Sequence, residues 1–101
     1  MAKKKMTNNM HIAAMSQDLY RVGIGYHQGS VRMAKIFSEQ VLVRIGEIKS
    51  ESLKPYMRKI LLVLPSILEE KDQTIVAENS LMYSVLLQNY AVVMEDDLNR
   101  S

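Results

Sequence analysis

An all-α fold, a small antiparallel bundle of about four helices with one kinked at Pro65, follows from three observations. Apolar residues recur at three- and four-residue steps in four separate segments. Four Gly and two Pro in 101 residues supply too few turns for an all-β chain. The connections between the segments are short, and an antiparallel bundle is the natural way to hide four apolar faces. The chain divides into a flexible basic N-terminal arm, residues 1–8, and a single helical domain, residues 9–101.

The first helical segment begins near Asn9, where Asn8 or Asn9 is suited to cap it. Ile12, Met15, Leu19, Val22 and Tyr26 form its apolar seam, with His11, Asp18 and Arg21 on the opposite face. Gly29 suits the left-handed residue that follows a helix, and Ser30 the cap of the next. Ala34, Phe37, Val41, Ile45 and Ile48 then share one face of the second segment, 31–49. Ile36 and Val43 lie off that face and, through Met33, continue the seam of the first segment, as one helix over 10–49 would have them. Gly23, Gly25 and Gly29 oppose that reading, each costing about 1 kcal/mol relative to Ala inside a helix. The expectation is a break near Gly29.

Ser50 or Ser52 is expected to cap the third segment, with Pro55 in its first turn. Its apolar face runs from Leu53 through Met57, Ile60, Leu61 and Leu64 to Leu68, and the phase survives Pro65. Asp72 caps the last segment, which extends to about Asp96. There Ile75, Val76, Met82, Tyr83, Leu86, Leu87, Tyr90, Val93 and Met94 fill one broad arc, expected to face the core with Leu86 at its middle. Ile60 is the corresponding central position of the third segment. Leu81, Val85 and Val92 make a second stripe beside Ala77, Ser84 and Ala91.

That second stripe and the off-face residues exceed what four short helices hide. Leu81, Val85, Val92, Ile36 and Val43 are therefore the candidate partner interface, with homodimerisation the commonest way to cover them.

Net charge is +2, but residues 1–60 carry eleven Lys or Arg against four acids and residues 61–101 two against seven. In a compact bundle such halves pair with each other by default, or steer a charged partner. The residues behind Lys3, Lys4 and Lys5 hold no apolar stretch long enough for a signal peptide. Neither five-residue apolar run, Ile60–Leu64 nor Tyr90–Met94, spans a bilayer. With no Cys, a reduced cytoplasmic setting is expected.

Chemical signatures are absent. "GIGYHQGS" lacks the Lys of a P-loop, the G-x-G-x-x-G spacing and a preceding strand, so it reads as a turn with small residues that let helices approach. His11 and His27 have no carboxylate at ligand spacing. His27 also lacks the H-x-x-K-G context of the helical phosphotransfer domains. Glu69 with Glu70, and Glu95 with Asp96 and Asp97, read as solvated acids rather than a catalytic pair. No catalytic, cofactor-binding or metal-binding residue is assigned, and no small-molecule substrate is evident. The function expected is a non-enzymatic protein–protein interaction module: a small adaptor, regulator or chaperone-like subunit. The alternative is a nucleic-acid-binding regulator that uses the basic N-terminal half.

Overall fold

A computed structural model describes the backbone of residues 7–100 and the side chains of residues 7–94. The greater part of the basic arm expected over 1–8, with its three lysines, lies outside the described residues. So do the side chains of Glu95, Asp96 and Asp97. Among the described residues four α-helices follow one another, α1 (Asn8–His27), α2 (Val31–Glu47), α3 (Pro55–Leu68) and α4 (Gln73–Arg100), with a short 3₁₀ turn at Ser50–Ser52. There is no strand among the described residues.

Thr7, rather than Asn8 or Asn9, caps α1: its hydroxyl accepts the Met10 N–H at 3.1 Å. The two asparagines serve longer-range contacts. The Asn8 amide donates to the Lys49 carbonyl at 2.8 Å and accepts the Lys49 N–H at 3.1 Å, tying the start of α1 to the α2–α3 connection. The Asn9 amide donates to the Ala91 carbonyl of α4 at 3.0 Å.

The break near Gly29 is a helix-ending double hydrogen bond. The Ser30 N–H reaches the Gly25 carbonyl at 2.7 Å and the Gly29 N–H the Tyr26 carbonyl at 3.2 Å. Gly29 sits at φ +77°, a conformation other residues adopt only with strain. Residues 10–49 therefore form two helices. Ser30 occupies the position before α2 without a side-chain cap. Neither Ser50 nor Ser52 caps α3, which starts after Lys54 with Pro55 in its first turn. Asp72 does cap α4, its carboxylate accepting the Thr74 N–H at 2.9 Å. α3 continues through Pro65 to Leu68, the missing N–H falling in its last turn.

The 28 residues of α4, at about 1.5 Å each, account for the long axis of a molecule measuring 44 × 33 × 20 Å. The short axis is about two helix diameters, so the bundle is two layers thick. α1 packs against both α2 and α4. Its seam residues Ile12, Met15 and Leu19 join Val41 of α2, Met57 and Leu64 of α3 and Leu87 of α4 in the main core, each fully buried. Full burial of such a side chain stabilises by about 1.5–3 kcal/mol. A smaller cluster of Val22, Ala34 and Val76 closes the other end.

Two expectations fail on α1. His11 and Asp18, placed by the periodicity on a solvent face, are buried, because α2 docks on that side. Asp18 accepts from the Arg44 Nε at 3.2 Å and lies 3.8 Å from the Arg21 guanidinium. Arg21 in turn stacks over the Phe37 ring, 5.1 Å from its centroid. His11 faces Glu47 at 3.6 Å. The α1–α2 seam thus carries charged side chains, whereas the polar contacts of the α1–α4 seam are between neutral groups.

Candidate interaction surface

The orientation of α4 follows from residue size. Asn9, Ser16 and Gly23 recur every seven residues on α1, and Ala77, Ser84 and Ala91 every seven on α4. The two sets face each other antiparallel. Asn9 meets Ala91, the Ser16 hydroxyl lies 2.9 Å from the Gln88 amide, and Gly23 abuts Ala77 and Leu81. A methyl group built on Gly23 would stand 3.1 Å from the Ala77 carbonyl oxygen and 2.5 Å from Leu81 Cγ. Small residues at such spacing let two helix backbones approach closely, so the seam gains dispersion contacts over its whole length.

This turns α4 about a quarter turn from the orientation its hydrophobic arc predicts. Ala77, Ser80, Ser84, Leu87, Tyr90 and Ala91 are buried, while Leu86, expected at the centre of the core, is 42% exposed. Ile60, expected to be equally central in α3, is only half-buried against the main core. Tyr90 is held at the α3 side, where its hydroxyl accepts the Lys54 N–H at 3.1 Å and its ring meets Tyr56 edge-on.

What α4 turns away from α1 is a row of large apolar side chains: Ile75, Met82, Val85, Leu86, Val92 and Val93, each 42–57% exposed. Single exposed apolar residues are ordinary, but an aligned face some 27 Å long is not. One edge of this face borders an open groove of about 430 Å³ between α1 and α4, with Tyr20, Gln17, Val85 and Asn89 among its lining residues.

The five residues singled out from the sequence separate into three places. Val85 and Val92 stand on the outward face of α4. Leu81 does not: it is half-buried and lies against Gly23, covering the α1–α4 seam from within the chain. Ile36 and Val43 are exposed on the side of α2 turned away from its buried residues Ala34 and Val41, apart from the α4 face. Periodicity placed Ile75, Met82, Leu86 and Val93 in the core. The signal that relocates them is the seven-residue recurrence of small residues on α1 and α4.

Among the described residues no three His, Asp or Glu side chains converge to hold a metal ion, and no helix is long and apolar enough to cross a membrane. His27 is exposed. Two cations of the basic half, Arg21 and Arg44, are engaged with Asp18. Compared with models of known protein families, with curated proteins and with solved structures, the chain matches none.

Proposed function

We propose that this chain is a non-enzymatic helical interaction module, a small adaptor, regulator or chaperone-like subunit of the cytoplasm, whose working surface is the outward face of α4. The supporting observation is the quarter turn of that helix away from its hydrophobic arc. Its small side chains are spent on the contact with α1, and six large apolar ones, Ile75, Met82, Val85, Leu86, Val92 and Val93, are left for another protein or a second copy. Burying roughly 25 cal/mol of apolar surface per Å² drives such a contact, and it persists in salt because no ion pair carries it.

Affinity capture from the native host tests the reading, with the wild-type chain and Val85→Glu compared at low and high salt. Capture should survive high salt and be lost with Val85→Glu. Capture that ignores Val85→Glu overturns the reading. Retention of nucleic acid that falls steeply with salt would instead establish a phosphate-contacting role for the basic half.

A further inference from the structure

The outward stripe of α4 carries a pattern beyond hydrophobicity. Ile75, Glu78, Met82, Val85, Asn89 and Val92 follow one another at alternating three- and four-residue steps, and all six are exposed. In order they are apolar, polar, apolar, apolar, polar, apolar. The order is the same read from either end. A contact between two copies about a two-fold axis requires such a pattern, since each residue must suit its counterpart in the reversed chain. A different partner protein would impose no such symmetry.

We propose that a second copy of this chain covers the stripe, with the two α4 helices antiparallel and the two-fold axis passing between residues 83 and 84. The proposal rests on the outward face of α4 being an interaction surface, and it names the occupant and the register. Ile75 then opposes the partner's Val92, Met82 opposes the partner's Val85, and Glu78 opposes the partner's Asn89, each pairing occurring twice. The Asn89 amide donates to the Glu78 carboxylate, which only accepts. Neither side chain has a partner within the chain among the described residues.

The register is selected by the same two polar residues. Sliding the partner so that the alternative layers meet sets Asn89 against Val85, or Glu78 against Met82, and leaves a buried polar group without a partner. A parallel pair would set Glu78 against its own copy, a like-charge contact. Elsewhere self-repulsion is absent, because residues 79–94 contain no charged side chain.

Area agrees with a modest dimer. The four apolar residues of the stripe together with the flanking Leu86 and Val93 expose at most roughly 550 Å² per copy, so up to about 1,100 Å² in the pair, close to the approximately 1,000 Å² that a specific interface must clear.

The test uses the full chain, which has no Cys of its own. Sedimentation between about 5 and 200 µM should show a monomer–dimer equilibrium that Val85→Glu abolishes. A mixture of Ile75→Cys and Val92→Cys chains should oxidise to a linked dimer. Neither variant should do so alone, because like positions then lie about 25 Å apart along the helices. Asn89→Lys, placing an ammonium opposite Glu78, should tighten the dimer. Combining it with Glu78→Lys should weaken dimerisation at least about tenfold.

A chain monomeric up to about 200 µM overturns the proposal. That result leaves the wider reading standing, since host capture of wild type against Val85→Glu decides it separately. A dimer that links through other cysteine pairs, or ignores the two Lys substitutions, overturns the register. Should Val85→Glu unfold the chain, the cysteine mixtures still decide.

Discussion

Toward α1, α4 presents Ala77, Ser80, Ser84 and Ala91; toward solvent it presents Ile75, Met82, Val85, Leu86, Val92 and Val93. A hydropathy wheel would turn Ile75, Met82, Leu86 and Val93 inward instead. The difference teaches that transfer free energy alone does not orient a helix in so thin a bundle. Large side chains hold two helix axes apart at the upper end of the usual 8–10 Å, whereas small ones bring backbone and Cβ atoms into continuous contact. Gly23 opposite Ala77 leaves no room for the first arrangement.

Substitutions on the two faces should therefore differ sharply, and neighbouring leucines give the cleanest contrast. Leu87, fully buried, is expected to cost about 2–5 kcal/mol on conversion to Ala, read from denaturant melts. Ala77→Leu comes next. It forces bulk into the close seam and should cost about 1–3 kcal/mol, with the helices splaying apart. Leu86→Ala, at 42% exposure, should cost no more than about 1 kcal/mol in the monomer. Equal losses at Leu86 and Leu87 would mean that α4 is turned toward its hydrophobic arc after all.

Ser80 sharpens the point from the other direction. It is fully buried and its hydroxyl has no hydrogen-bond partner. It occupies the seam for its size, at the cost of an unsatisfied polar group. Ser80→Ala keeps the volume small and removes that hydroxyl, so a gain of about 0.5–1 kcal/mol is expected. Val85→Glu should change monomer stability least, by within about 0.5 kcal/mol, with unchanged helical circular dichroism.

Much of the architecture was legible in the residues. Alternating three- and four-residue steps marked all four helices, Gly29 marked the break, and Asp72 the start of α4. The seam of α1 from Ile12 to Val22 was read correctly because a single helix face fills the core there. The burial of His11 and Asp18 was not, since the approach of Glu47 and Arg44 on α2 makes a polar stripe an internal one. On α4 the wheel counted apolar side chains and ignored their size, so Met82 was assigned inward and Leu81 outward. The seven-residue recurrence of Asn9, Ser16 and Gly23 opposite Ala77, Ser84 and Ala91 was present in the sequence. It becomes informative only when the two rows are known to meet.

The α1–α4 seam joins residues far apart along the chain, 82 positions between Asn9 and Ala91 and 72 between Ser16 and Gln88. Its order of assembly is fixed by that distance. The turn at Gly29 can bring α1 and α2 together early, because only a short loop must close. The face of α1 that carries Gly23 then waits, uncovered, until α4 has been synthesised. Close packing of small side chains tolerates no approximate docking, so this seam should form after the folding barrier is crossed. Changes there act chiefly on the rate of unfolding, while changes around Gly29 act on the rate of folding. The last helix is thus the latch: its hold on α1 helps set how long the assembled bundle stays shut.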